Sequence, residues 1–586
     1  MTPLAGGGTR LPLPPGEGRG EGRPGRHQGP ALLIAYCVAA AFGFLAASFQ
    51  LQNTSIGWHL ACGRWILDHG AVPRADAFSF TAQGTPWIDH EWLFQVVAAA
   101  IEGAGGPAAL VLWRGLWIAL LAVLLVRIGL QSGLHHLAAL LLAVLCIWGA
   151  RLRFFVRPEL FTLLIAPCVV ALFLERHKFR ALPFYGALAA LMVVGGNAHA
   201  GILIVPPLLA ALLFGELAYG WRSGRVDRSQ LASGAGAVAL AAAVPLLNPY
   251  GWKLYWVPIE ITNLVGRDYI LNPEWISPAP LQTPGLYLAF GAALLLLLLA
   301  RDRSPLRWIL LLAAGALAFR YVRNLGLFFV LLPLAVAPAL AKLPGCGRQA
   351  AEGSARLVRR ALQGAAWALP PLVALGFIVD QERPFGFQFD AGYYPIAACD
   401  FLQRERLPAA RLYNDVKFGG YLLERFFPPR TVFIDDRNEI HEPLLRRIFS
   451  ILRRSDTRGW ERLLAGYSID TALVRYVPQL TEVLGPDRRP RIPRSFSALW
   501  FPARRWALVY WDDVAMVLVR RAGADPDSLG AKEYRVVRPD DLEYLRRGLA
   551  AGWLDRAAFL AELRRKLKEQ PDCQRARLLL TLAQQP

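Results

Sequence analysis

Eleven apolar stretches, each about 16 to 22 residues long and several almost free of charge, divide the first 380 residues of this 586-residue chain. They fall at about 30–50, 107–128, 135–150, 159–175, 181–196, 201–219, 231–247, 283–300, 307–321, 324–341 and 361–379. A helix needs roughly 20 apolar residues to cross the hydrocarbon layer of a bilayer. Inside that layer the backbone must satisfy its own hydrogen bonds, which favours helices. With 55% hydrophobic residues, 18 Trp and 30 Phe, the chain is too apolar for a soluble protein of this length. The expectation is an all-α polytopic membrane bundle of about 11 helices.

The net charge of +20 does not point to nucleic acid. Lys and Arg are scattered through short loops, with no basic stripe interleaved with aromatics. They read instead as topology. With the N-terminus cytoplasmic, the inner segments carry about twice as many Lys and Arg as the outer loops of the membrane part, as the positive-inside rule requires. Residues 1–30, rich in Gly, Pro and Arg, are expected to form a disordered basic cytoplasmic tail rather than a signal peptide. Residues 31–380 form the membrane domain, with a first outer loop at 51–106. Residues 381–523 mix apolar strands with helical stretches and predict a periplasmic α/β domain, and 524–586 predict a helical C-terminal segment. This placement implies a multi-pass protein of a bacterial inner membrane. The seven Cys show neither paired spacing nor CxxC, so no disulfide framework or zinc site is expected.

The polar segments fall on one side. "WHLACGRWILDHGAVPRADAFSFT" (58–81), "RLRFFVRPE" (151–159), "NAHAG" (197–201), "LNPYGWKLYW" (247–256), "NPEWISP" (272–278) and "FRYVRN" (319–324) all lie at the outer face. Polar groups at a membrane edge are costly, so their concentration on one face predicts a cavity there.

The stretch from Trp58 to Leu93 follows the pattern WHL..G.WIL.HG..P..D.FS.T..G..W..HEWL. "RPELF", "NAHAG", "LNPYG", "EWISP" and, after the last span, "NDVKFGGYLLERFFPPRTVFIDDR" follow in order. On these motifs, residues 31–523 resemble the GT-C superfamily of membrane glycosyltransferases, which includes protein O-mannosyltransferases and lipid A aminoarabinose transferases. The likeness is strongest to bacterial multi-span members that share the first-loop pattern. The resemblance implies transfer of a sugar from a polyprenyl-phosphate carrier to a periplasmic, lipid or glycan acceptor, with inversion at the anomeric carbon. A carboxylate would then take the acceptor proton, and cations or a divalent metal would neutralise the leaving phosphate.

Superfamily members carry an acid or acid pair just after the first span, and this sequence departs from that. "QLQNTSIG" (50–57) has Asn53 and Ser55 there, and neither side chain can act as a base at neutral pH. The remaining candidates in the pattern are Asp76, Asp89 and Glu91. Asp89 and Glu91 are preferred because they open the amphipathic stretch "EWLFQVVAAAIEG" (91–103), where a helix N-terminus favours an ionised acid. The plainer alternative makes Asp89 an N-cap, Glu91 a first-turn acid and Asp76 a turn residue. His59, His90 and His199 could join Asp89 or Glu91 around a divalent cation, Mg2+ or Mn2+.

Arg153, Arg157, Arg320 and Arg323 lie at outer helix ends and suit a donor phosphate, or else snorkel to lipid headgroups. Glu159 is placed to pair with one of them. Asn197, Asn248, Tyr250, Glu274 and Trp275 are candidates for a sugar pocket, although NPYG and NPEW are also ordinary turn sequences. "FIDDRNEIH" (433–441) resembles a metal or sugar site, but acids after a buried strand more often cap a loop. Two other functions fit the same sequence. One is a catalytically silent scaffold that binds glycan or lipid; the other is a transporter or flippase, which would place its polar groups nearer the midplane.

Overall fold

The computed structural model describes residues 28–584, apart from 225, 269, 271, 349–353, 406–410, 478–480, 485–489 and 523. Of the tail expected over residues 1–30, residues 1–27 lie outside the described residues and 28–30 form the start of a helix. Each of the eleven apolar stretches falls on a helix. They are α1 (Gln28–Ala46), the second half of α3 (Trp92–Gln131), α4 (His136–Ala150), α5 (Glu159–Leu174), α6 (Ala181–Ala198), α7 (Val205–Arg222), α8 (Arg228–Ala243), α10 (Pro284–Leu299), α11 (Pro305–Arg320), α12 (Leu325–Leu340) and α13 (Ser354–Ile378). Two short helices, α2 (Ile56–His69) and α9 (Val257–Val265), lie between them. Among the described residues, eight helical segments are long and apolar enough to cross a membrane. Helices α5, α10 and α11, at 16 residues each, fall short of that length.

Local sequence explains how the first loop enters the bundle. Helix α3 begins as the expected amphipathic segment and breaks at Gly105 and Gly106, where Gly106 takes φ 63°. Glycine adopts that left-handed backbone without a Cβ clash. Pro107, which has no N–H to lose, then starts the membrane-crossing half. A buried arginine within that half also has a local reason. Arg114 donates from Nε to the Ala47 carbonyl at 2.7 Å and from Nη2 to the Phe49 carbonyl, which satisfies acceptors just past the end of α1.

After α13, helices α14 (Ile396–Arg404), α15 (Val416–Phe426), α16 (Asn438–Arg453) and α17 (Thr457–Gly466) surround a four-stranded sheet. The strands of this domain are β1 (Leu412–Asn414), β2 (Thr471–Arg475), β3 (Thr481–Leu484), β4 (Pro490–Arg494), β5 (Trp506–Trp511) and β6 (Ala515–Arg520). The sheet runs β1-β2-β6-β5, with β1 parallel to β2 and the other pairs antiparallel; β3 and β4 form a separate hairpin. Alternation along β2 sends Leu473 to the core shared with the membrane bundle and Ala472 and Val474 to a second core. The tail helices Arg556–Glu569 and Gln574–Gln584 complete that second core with Phe559, Leu563 and Leu579.

The C-terminal domain docks on the first loop where α15 crosses α2. A Cβ on Gly57 would strike the Gly420 carbonyl, and one on Gly420 would strike that of Thr54, so this crossing needs glycines. Backbone bonds between Phe80 N–H and the Val432 carbonyl (3.1 Å) and between Val432 N–H and the Phe78 carbonyl (3.0 Å) continue the seam. That seam carries residues 433–441 over the ends of the membrane helices.

Candidate active site

A cavity of about 540 Å³ opens where these parts meet. Trp58, Trp87, Asp89, His90 and Glu91 come from the first loop; Glu159 and Thr162 from α5; His199 from the turn after α6; Trp275, Arg320 and Arg323 from the ends of later helices. Apolar side chains of α9, α11 and α12, including Val257, Ile261, Leu317 and Leu327, complete one side. The C-terminal domain contributes Asp436, Arg437 and Glu439.

The first-loop acids differ sharply. Asp89 is buried; its Oδ1 accepts from Gln95 Nε2 at 2.5 Å and its Oδ2 lies 3.4 Å from Cys62 Sγ. Burial raises its pKa to about 7, against the opposing pull of His90 and of both hydrogen bonds. The expectation that a helix terminus keeps this acid ionised is therefore corrected. Helix α3 starts at Trp92, and burial outweighs the terminus. Glu91 behaves as expected, for a different reason. Burial pushes it up, but His90, then His59 and His199, outweigh that and bring it down to about 2. His90 lies 3.5 Å from Glu91 and rises to about 9, Glu91 overcoming burial. His59, 3.8 Å from Glu91 on the other side, is lowered by burial to about 3 and is neutral. Asn53 takes no part in acid chemistry. It lies just before α2, its Oδ1 accepting from the N–H groups of Ser55 (2.9 Å) and Ile56 (2.8 Å).

Among the described residues, no three His, Cys, Asp or Glu groups converge as a metal centre would. Glu91 lies between the neutral His59 ring and its ion-pair partner His90, while the His199 ring bonds Thr162 at 2.8 Å. Among the described residues, these donors do not fit a preformed divalent site.

Asp76 does not reach the cavity lining. It accepts from the N–H groups of Phe78 (3.2 Å) and Ser79 (3.1 Å) and from Ser79 Oγ (2.5 Å), and it pairs with Arg437 at 2.9 Å. Asp435 holds the same guanidinium at 2.5 Å and meets His441 at 3.4 Å. Burial pushes Asp435 up, but Arg437 and His441 hold it far below the usual carboxylate range. The cluster ties the first loop to the C-terminal domain.

The four outer arginines divide into two pairs. Arg153 grips Glu159 through Nε (3.2 Å) and Nη2 (2.5 Å) and reaches Glu274 through Nη1 (3.1 Å). Arg157 also pairs with Glu274. Burial pushes Glu274 up, but Arg157 and Arg153 hold it well below its ordinary range. These charges are spent on one another. Arg323 lies over the Trp275 ring at 4.2 Å and Arg320 over the Tyr321 ring at 5.0 Å. Among the described residues, neither has a carboxylate within ion-pair distance.

Of the sugar-pocket candidates, Trp275 lines the cavity. Asn197 instead accepts from Trp92 Nε1 at 2.9 Å and donates to the Val193 carbonyl, Asn248 bonds the Gly196 carbonyl, and the Tyr250 hydroxyl bonds that of Pro73. The stretch "FIDDRNEIH" reaches the cavity. Its signal was two adjacent acids behind the buried run Val432–Ile434. Neighbouring side chains in extended backbone point opposite ways, so Asp435 turns to the Arg437 cluster while Asp436 meets Thr54 Oγ1 at 2.5 Å in the cavity wall.

No protein-family model matches the chain, and no curated protein sequence does. Solved structures do. The oligosaccharyltransferase of Archaeoglobus fulgidus in its apo form superposes with a TM-score of 0.52 at 12% identity, covering 76% of this chain and 69% of that one. The likeness is one of fold. Archaeal AglB from the same organism, in complex with an inhibitory peptide and a dolichol-phosphate, matches over the same shares with a TM-score of 0.51 and 12% identity. The A. fulgidus enzyme tethered to an acceptor peptide containing the NVT sequon gives 0.50, again at 12% identity and over the same shares.

Proposed function

We propose that this chain is a membrane glycosyltransferase. It would move a sugar from a polyprenyl-phosphate-linked donor to an acceptor at the outer face of a bacterial inner membrane, by direct inverting displacement. The observation that carries this reading is one cavity holding ionisable carboxyls, Asp89 and Glu91 among them, together with two arginines, Arg320 and Arg323, that have no carboxylate partner among the described residues. An unpaired guanidinium beside an apolar wall suits a lipid phosphate, because it grips phosphate oxygens bidentately and stays charged. The apolar side around Val257, Ile261 and Leu317 would take the first isoprene units, and Trp58, Trp87 and Trp275 line the space that would hold the sugar. The dolichol-phosphate bound to AglB supports a donor of this kind.

In the transfer, an acceptor hydroxyl attacks the anomeric carbon while a cavity carboxylate takes its proton. The carbon–oxygen bond to phosphate breaks, and Arg320 and Arg323 balance the charge left on the leaving phosphate. Purified protein incubated with radiolabelled polyprenyl-phosphate sugars and cell-envelope fractions is expected to label an envelope component. The Arg320→Ala, Arg323→Ala double variant should not. Absence of transfer from every donor in the panel would favour the silent scaffold.

A further inference from the structure

We propose that Asp436, carried in by the C-terminal domain, is the general base of the transfer and replaces the acid that the first loop lacks. This assignment rests on the sugar-transfer reading above. The structure delivers Asp436 to the first loop itself. Its Oδ2 accepts from Thr54 Oγ1, the residue after Asn53, at 2.5 Å. Among the described residues its Oδ1 is buried without a well-formed hydrogen bond, its neighbouring donor being the Trp58 indole N–H, which is itself unpartnered, and the residue stands in the cavity wall.

Three of the four rival carboxylates in the cavity are engaged, and among the described residues no hydrogen bond joins the fourth, Glu439, to the first loop as Thr54 joins Asp436. Asp89 receives Gln95 and Cys62, Glu91 lies between two imidazoles, and Glu159 is bidentate with Arg153. A buried acceptor left without a donor is unfavourable, and such groups gather at sites where a ligand supplies the missing bond. An acceptor hydroxyl would supply it. Burial also raises the Asp436 carboxyl to about 6; Asp435 adds to the rise, while Thr54, Arg157 and Trp58 oppose it. A base poised there is ionised at neutral pH yet basic enough to take a proton, whereas Glu91 at about 2 is a poor acceptor. In the step, the acceptor O–H gives its proton to the Asp436 carboxylate as the oxygen lone pair forms the new glycosidic bond. The old bond's electrons leave on phosphate, and Asp436 then returns its proton to water.

The test is Asp436→Asn, with transfer from a labelled polyprenyl-phosphate sugar and binding of unlabelled polyprenyl phosphate measured on the full chain. Transfer is expected to fall roughly 10²- to 10⁴-fold while binding is unchanged. Wild-type kcat should rise with pH through about 6, where Asp436 loses its proton, and that limb should be absent from the residual Asp436→Asn rate. Wild-type transfer by Asp436→Asn, or an equal collapse in Asp89→Asn or Glu91→Gln alone, overturns the assignment but leaves the sugar-transfer reading intact. If the wild-type protein transfers nothing from any lipid-linked donor, the reading falls and the assignment with it. Should Asp436→Asn fail to fold, Asp436→Glu decides: an unaltered rate and pH limb overturns the proposal, and a reduced rate with a displaced limb supports it.

Discussion

Two pairs of arginines end membrane helices on the same face of this protein, and their fates differ. Arg153 and Arg157 share Glu159 and Glu274, so their charge is neutralised inside the protein. Arg320 and Arg323 lie over aromatic rings and face the cavity. In sequence the two pairs look alike, each an arginine-rich turn after an apolar run. The contrast teaches that a cation at a membrane edge becomes available to a ligand only if no carboxylate of the same chain reaches it first. The acids repeat the contrast: Asp76 and Asp435 are consumed by Arg437, while Asp436 is left one oxygen unpartnered.

The largest effect is expected from Arg153→Ala. Removing one member of a buried charge cluster strands the others, here Glu159 and Glu274, at a cost of about 3–5 kcal/mol. Thermal unfolding in detergent should show that loss. A stable Arg153→Ala protein that had merely lost donor affinity would break the comparison, because it would make Arg153 a ligand-binding cation. The next effect is smaller and of a different kind. Arg320→Ala or Arg323→Ala should leave thermal stability near wild type and weaken polyprenyl-phosphate binding by about 10- to 100-fold, the loss of one charge-assisted bond of roughly 1.5–3 kcal/mol. Equal destabilisation by all four substitutions would erase the distinction between the pairs.

The His90–Glu91 pair sharpens the comparison, because it is both paired and cavity-facing. His90, raised from 6.5 to about 9, contributes stability that is full below pH 6.5 and is lost as pH rises through about 9. Glu91, lowered from 4.5 to about 2, contributes stability present above pH 4.5 and lost as pH falls through about 2. Both contributions are complete between pH 4.5 and 6.5. Between pH 6.5 and 9 the melting temperature should drift down by a few degrees at most, as a local pair in a large protein allows. Glu91→Gln should flatten that drift; an unchanged slope would mean that another group titrates there.

How much of the site was legible can be judged residue by residue. Asp89, His90 and Glu91 are candidates from one first-loop pattern, and all three line the cavity. They are close in sequence, so the loop that orders one orders the rest. Glu274 is in sequence a candidate for a sugar pocket or a turn, and it serves arginines up to 121 positions away. Asp76 was a candidate base, and its partner Arg437 comes from the far domain. No spacing rule could have exposed either pairing.

By itself the sequence determined the helices. Each apolar stretch became one because a backbone in hydrocarbon can satisfy its N–H and C=O groups only within its own segment, a constraint that acts over a few residues. It also determined the break of α3 at Gly105–Gly106–Pro107, which is equally local. Which charges cancel and which face the cavity was decided by the tertiary structure alone. An ion pair forms over a few ångströms of space regardless of chain separation, and here the seam of Gly57 against Gly420 brings Asp436 to Thr54 across 382 positions of sequence.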